Sequence, residues 1–182
     1  MTIKAVGPWI CKSSKSVYEN PWLSVRHEEV VTPGGTDGIY GVVHFKSRAI
    51  AIVPIDAENH TWLVKQFRYT LDEYSWELPM GGAPLDEDPL LGAQRELQEE
   101  TGLTAAHWEC LMKLHTSNSV TDEEGYVFVA RDLTEGIQAL EPSEDIQVMR
   151  LPLFDAVQMV MRGEITDAIS VAALLKIAVL NK

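Results

Sequence analysis

The stretch from Asp88 to Gly102 constrains this chain more than any other. Asp88 followed by Pro89 is a helix start, because an Asp oxygen accepts from the exposed N–H groups of a first turn and proline loses nothing there. Gly102 is a stop, free to take the left-handed conformation after the last turn. Between them, at 100° per residue, Leu90, Ala93 and Leu97 fall on one stripe while Glu96, Glu99 and Glu100 share the neighbouring face. The spacing predicts a helix over residues 89–101 with an apolar side and a carboxylate side. Like charges so placed destabilise a helix by roughly 0.2–0.5 kcal/mol per pair, and the C-terminal end of the helix dipole disfavours them further. Arg95 can pair with Glu99 one turn on, but a single guanidinium does not neutralise three acids. A solvated face is the ordinary explanation of such a run; a hard divalent cation with oxygen ligands is the other.

Charge over the whole chain bears on that choice. The 182 residues hold 27 acidic and 15 basic side chains, a net charge of -12, with 46% apolar content. This is the profile of one soluble domain with room for a small appendage. It argues against nucleic-acid polymers and anionic membranes as partners, since both need a basic footprint. The acid is concentrated: residues 1–70 carry 8 basic and 6 acidic side chains, residues 71–182 carry 7 and 21. An anionic ligand would have to be met locally, by a few arginines or through a metal. No apolar core follows a basic start at the N-terminus, and no window of 18 apolar residues occurs, so a cytoplasmic protein is expected. Cys11 and Cys110 are far apart and outside any CxxC spacing, which suggests ordinary thiols.

Residues 22–31 and 39–45 alternate loosely around the turn-rich 32–38 segment and read as a β-hairpin. Residues 49–55 and 61–67 are short β-branched runs joined by a polar turn and are expected to form a second strand pair. Further strands are expected at 75–78, 109–115, 125–130 and 146–151, and helices at 153–162 and 167–180. Asp167 is placed to cap the last helix, whose packing face is expected to be Val171, Leu174, Leu175 and Ala178. Irregular mixing of strands and helices favours an α+β arrangement, or a sheet sandwiched by helices, over a doubly wound parallel sheet. Residues 1–48 are expected to form a small N-terminal β-subdomain and 49–182 the main domain.

Gly81, five residues, Glu87, seven residues, then Arg95-Glu96-Leu97-Gln98-Glu99-Glu100-Thr101-Gly102-Leu103 resembles the box of the Nudix hydrolases, G-x5-E-x7-R-E-U-x-E-E-x-G-U with U aliphatic, at all nine specified positions. Val64-Lys65-Gln66-Phe67-Arg68 and Trp76-Glu77-Leu78-Pro79-Met80-Gly81-Gly82 are similar to the strands preceding the box in the ADP-ribose and nucleoside diphosphate sugar pyrophosphatase branch. The resemblance implies a Nudix fold, an α/β/α sandwich with a mixed sheet, plus an N-terminal antiparallel β-subdomain making dimer or substrate contacts. It implies an enzyme that hydrolyses the diphosphate bond of ADP-ribose or a nucleoside diphosphate sugar, with Mg²⁺ or Mn²⁺, two or three ions when substrate is bound, in a homodimer.

Carried over residue by residue, Glu96 and Glu100 are direct metal ligands, Glu99 a shared or water-mediated one, and the Met80 carbonyl a further one. Arg95 and Glu87 form an orienting pair, Glu87 anchoring Arg95 across the loop. The base is a glutamate on a downstream loop, Glu144 first and Glu141 second, with Glu144 also near the metal. Arg68 grips the diphosphate, with a strand-end ion pair to Asp72 or Glu73 as its alternative, and Glu77 adjoins it. Trp22 either packs in the core or stacks on a nucleobase. His115 is a structural donor rather than a ligand. Many ADP-ribose-specific members carry a proline about fifteen residues past the box, and residues 116–124 have none, which leaves the sugar and base open. A nucleoside triphosphate or dinucleoside polyphosphate substrate, or a non-catalytic nucleotide-sensing module, are the competing possibilities.

Overall fold

The computed structural model describes residues 3–140 and 145–180. It divides into two compact units: one takes in the described residues up to Ser47 together with His115–Glu123, the other Arg48–Leu114 and the described residues from Glu124 onward.

The first unit is an antiparallel meander of β1 (Lys4–Val6), β2 (Trp9–Glu19), β3 (Leu23–Val31) and β4 (Asp37–Phe45). The β3–β4 hairpin is the one expected from its turn residues, with Val31 opposite Asp37 and Gly35 at φ 80° closing the turn. β1 and β2 were not anticipated. The Lys12-Lys15-rich run of β2 has little apolar alternation, and pairing along β3 rather than burial makes it a strand. The 115–123 segment is tied to β4 by Val43 N–H to the Val120 carbonyl at 2.9 Å, by the Tyr40 hydroxyl to the Ser119 carbonyl at 2.6 Å and by His44 Nδ1 beside Asp122 Oδ2 at 2.7 Å. Trp22 does not pack in the core: it is 70% exposed. Its backbone N–H instead donates to the Asn20 side chain in the β2–β3 turn.

The second unit contains β5 (Ser47–Pro54), β6 (His60–Arg68), β7 (Glu73–Glu77), β8 (Met80–Pro84), α1 (Pro89–Thr101), β9 (Leu103–His115), β10 (Glu124–Glu135), β11 (Gln147–Pro152), α2 (Leu153–Met161) and α3 (Ala168–Leu180). The strands run β8-β5-β10-β9 in one sheet and β11-β6-β7 in another. β5 and β10 are parallel, with Ala49 opposite Gly125, whereas β6 is antiparallel to both its neighbours. The expected pairing of β5 with β6 is therefore wrong. Their short polar turn looks like a hairpin connection, but β5 is apolar on both faces and is drawn between β8 and β10, where both faces are covered.

The two faces carry two cores. Ile50, Ile52, Phe128 and Ala130 pack with Ala93 and Leu97 of α1, while Ala51, Val53, Val127 and Val129 pack with Ala156 and Met159 of α2 and Ala173, Leu174 and Ile177 of α3. Successive residues of one strand thus feed opposite layers, as the period of two requires, and helices lie on both sides of the mixed sheet. The inward face of α3 is Ile169, Ser170, Ala173, Leu174 and Ile177; Leu175, expected to pack, is 36% exposed. That helix is apolar nearly all round, so no stripe in the sequence marks its buried side. No helix among the described residues is long and apolar enough to cross a membrane.

Candidate active site

The site is built on α1, whose ends are held as its sequence anticipates. Asp88 Oδ1 accepts from Leu90 N–H at 2.9 Å, and Gly102, at φ 74°, donates its N–H to the Gln98 carbonyl. A Cβ on Gly102 would lie 2.9 Å from both Gln138 N and the Gly136 carbonyl oxygen, so the chain beyond β10 passes directly over the helix end. There the Gln138 side-chain amide donates to the Glu100 carbonyl at 2.6 Å and Ala139 N–H to the Glu99 carbonyl at 3.0 Å. Two carbonyls left without helical partners are satisfied this way.

Burying Leu90, Ala93 and Leu97 turns the neighbouring face of α1 toward β8. Glu96 and Glu100, one turn apart, are only 6% and 1% exposed, whereas Glu99 lies nearer solvent. Glu100 Oε2 accepts the Met80 backbone N–H at 2.8 Å. The Glu96 carboxyl occupies the place where a side chain on residue 81 would begin: a Cβ on Gly81 would sit 2.1 Å from its Cδ. The box glycine is therefore a cradle for a carboxylate rather than only a turn.

Arg95 bridges the carboxylates from outside, with Nη1 2.7 Å from Glu96 Oε1 and 3.0 Å from Glu99 Oε2, and Nη2 donating to the Gly82 carbonyl at 2.7 Å. Partial burial works against its charge, but Glu96 and Glu99 outweigh that and hold the guanidinium above its ordinary range. Glu87 is not its partner. Glu87 Oε2 is buried without a hydrogen bond, packed 3.4 Å from the position of a Cβ on Gly92, and the carboxylates on its own helix have already taken up the Arg95 fork. The expected Glu87–Arg95 pair is thus corrected.

Arg68 binds Glu77 through both carboxylate oxygens, Nε to Oε1 at 2.8 Å and Nη2 to Oε2, rather than Asp72 or Glu73. That bidentate contact to a buried acid raises the Arg68 pKa most, against the effect of desolvation, with Asp167 and Glu100 adding to it. Arg68, Glu77, Glu100 and Asp167 consequently share one electrostatic neighbourhood. Asp167 caps α3 through Ser170 N–H at 2.7 Å, and the Ser170 hydroxyl oxygen accepts from Leu78 N–H at 2.9 Å, tying α3 to the strand end that carries Glu77. Glu141 and Glu144 lie outside the described residues. Trp22 is in the other unit, and His115 Nδ1 lies 3.2 Å from the Glu123 carbonyl oxygen, a structural contact.

The donor set suits a hard divalent cation. Glu77, Glu96, Glu99 and Glu100 supply four carboxylates, with Arg68 on Glu77 and Arg95 on Glu96 and Glu99. Three of these acids, Glu77, Glu96 and Glu100, are nearly fully buried, where charge is costly unless it is met, and all the donors are oxygens, as Mg²⁺ and Mn²⁺ require. A second acidic group, Asp56, Glu58 and His60 on the β5–β6 turn, has ligand atoms within 4.8 Å of one another. There Arg150 supplies the counter-charge, 2.5 Å from Asp56 and 2.8 Å from Glu58.

The chain matches the NUDIX domain over residues 45–172 and the nucleoside diphosphate sugar hydrolase N-terminal domain over residues 9–43. It is 35% identical over 169 residues to the ADP-ribose pyrophosphatase of Mycobacterium tuberculosis (strain ATCC 25618 / H37Rv), covering 91% of this chain and 81% of that one. It is 31% identical to the ADP-ribose pyrophosphatase of Bacillus subtilis (strain 168), covering 86% and 85%. A crystal structure of an ADP compounds hydrolase shares the fold, with a TM-score of 0.83 over 96% of this chain and 95% of that one, at 24% identity. The intact box, the helix that displays its acids and these matches together establish that the chain belongs to the Nudix hydrolase family.

Proposed function

We propose that this protein hydrolyses the diphosphate bond of ADP-ribose or a related nucleoside diphosphate sugar, releasing a nucleoside monophosphate and a sugar phosphate. With ADP-ribose the products are AMP and ribose 5-phosphate. The observation that carries this is the burial of Glu96 and Glu100 side by side, one in the cradle of Gly81 and the other on the Met80 N–H. The ADP-ribose pyrophosphatases of M. tuberculosis and B. subtilis, aligned over most of their length, support the substrate class.

Glu96 and Glu100 would hold Mg²⁺ or Mn²⁺ directly, with Glu99 as a shared ligand and the Met80 carbonyl as a further one. Bound there, the cations offset the diphosphate charge and make water a better nucleophile. Arg95 keeps the carboxylates aligned, a task for groups that touch ligands rather than metal. Arg68, oriented by Glu77, presents a planar fork of donors suited to phosphate oxygens. The water attacking phosphorus needs a base, and Glu144, or failing it Glu141, takes that proton. The tether of Ala139 to the Glu99 carbonyl supports this, since it starts the segment carrying both glutamates at the acidic end of α1. Two or three cations with substrate bound agree with the number of carboxylates offered.

A homodimer formed through the N-terminal sheet completes the proposal. β1 pairs only with Trp9–Cys11 of β2, so the remaining edge of β2 has no strand beside it among the described residues, and Val17, Tyr18 and Trp22 are exposed. Incubating the protein with ADP-ribose, GDP-mannose, UDP-glucose, ADP-glucose and NADH, with Mg²⁺ or Mn²⁺, and identifying products tests the activity. Tight ligand binding without turnover of any diphosphate would replace it with a sensing role.

A further inference from the structure

The turn between β8 and α1 holds an electrostatic oddity. Its Glu87 carboxylate keeps Oε2 buried with no hydrogen-bond partner, an arrangement a free turn would not choose. Arg48, near the start of β5, reaches the same turn. Its Nη1 donates to the carbonyls of Pro84 at 3.4 Å and Glu87 at 3.3 Å, the first of which also accepts Glu87 N–H at 3.1 Å. Arg48 Nε is buried and lies 3.5 Å from Glu124 Oε2 at the start of β10. Glu124 in turn is bonded by Lys113 of β9, which together with Arg48 holds its carboxyl below the usual carboxylate range. β5, β9 and β10 thus converge through one guanidinium on the turn that launches the box helix.

We infer that Arg48 is a positioning residue for the cation site: it clamps the Pro84–Glu87 turn and thereby fixes α1 against β8. The inference rests on the proposed metal-dependent hydrolysis. Its physical basis is leverage. The acidic end of α1 is pinned by Glu100 to Met80 N–H and by Gln138 to the Glu100 carbonyl, so that end is a pivot. The other end is held by packing of Gly92 and Ala93 on Ala83 and Ile50 and by the turn, so it loosens when the turn carbonyls lose their shared donor. Glu96 sits between pivot and turn with its carboxyl seated in the space left by Gly81, where a small rotation of the helix unseats it. Glu100, at the pivot, moves least. A cation held by two ligands, one of them loosened, would be bound more weakly, while the chemistry at saturating cation would be largely preserved.

The test compares wild type with Arg48→Met, which keeps the apolar stem, Arg48→Lys, which offers a single ammonium in place of the fork, and Glu124→Gln, which removes the far support of the guanidinium. Mn²⁺ binding to protein alone, followed by the electron paramagnetic resonance signal of free Mn²⁺, is read beside the Mg²⁺ dependence of ADP-ribose hydrolysis. Arg48→Met should weaken Mn²⁺ binding and raise half-saturating Mg²⁺ by about 10-fold, the lower end for groups that orient metal ligands, with kcat at saturating Mg²⁺ within about threefold. Arg48→Lys should recover part of the loss and Glu124→Gln should show a smaller shift in the same direction. Unchanged Mn²⁺ affinity in Arg48→Met overturns the inference even if its melting temperature falls, because the clamp would then serve stability alone. Failure of wild type to bind Mn²⁺ or to hydrolyse any diphosphate overturns the proposed function first and this inference with it.

Discussion

The acids of α1 and the acids of the β5–β6 turn belong to the same unit and are settled in opposite ways. Asp56 and Glu58 are answered by Arg150, which also lies over the Trp62 ring at 5.5 Å, and Glu58 remains 72% exposed. Water and one guanidinium suffice there. Glu96 and Glu100 are taken out of water onto backbone that makes room for them, and Arg95 bridges Glu96 and Glu99. Counting acids does not separate the two groups; burial and a glycine cradle do.

That contrast can be broken most directly at Glu100. Glu100→Gln should lose Mn²⁺ binding and turnover by more than the roughly 10–100-fold typical of groups one step removed from a metal, while circular dichroism and melting show a folded protein. Full activity in this variant would sink the metal assignment. Gly81→Ala comes next. The added methyl meets the movable end of the Glu96 side chain, so stability should change little while cation affinity and kcat/KM fall roughly 10-fold. A comparable loss of stability would mean the glycine serves the backbone instead.

Gly102→Ala separates packing from chemistry at the same helix. Here the obstacle is backbone, and the residue sits at φ 74°, so a cost of about 1–3 kcal/mol is expected in chemical denaturation. The smallest effect belongs to the exposed cluster. Arg150→Met should leave Mg²⁺ dependence untouched and barely move the melting temperature, as expected of a solvent-exposed ion pair. Burial pushes the Asp56 carboxyl up, but N–H bonds from His60 and Glu58 and the Arg150 contact outweigh it and lower its pKa. A lowered carboxyl contributes stability above its unfolded pKa and loses it as pH falls through the folded one. Asp56→Asn should therefore flatten the acid side of the stability profile, below about pH 4, and leave the neutral region nearly parallel to wild type. A changed metal requirement in either variant would erase the distinction between the two clusters.

Much of this was legible where the chemistry is local. Asp88, Pro89 and Gly102 mark the ends of α1 because caps act within a turn, and the same holds for Asp167 at α3 and for the 32–38 hairpin. Errors fall where partners are remote or pattern is absent. β5 looks like half of a hairpin until β10, more than 70 residues on, takes the place beside it. α3 is apolar nearly all round, so only its neighbours choose a face. Trp22 has the side chain of a core residue and sits in a turn. The resemblance implies a pair of Glu87 with Arg95, yet the guanidinium is satisfied by acids on its own helix and a carbonyl of β8.

Residue spacing alone was enough for a capped helix bearing an acidic face and for the family to which it belongs, because helix periodicity and capping depend on neighbours within a few residues. The meaning of that acidity was decided only by the tertiary structure. Folding selects which carboxylates lose water, seats Glu96 where Gly81 has no side chain, and brings Arg48 from another strand onto the turn before the helix. Those are contacts between distant segments, and electrostatic cost follows burial and separation in space, which the order of residues does not contain.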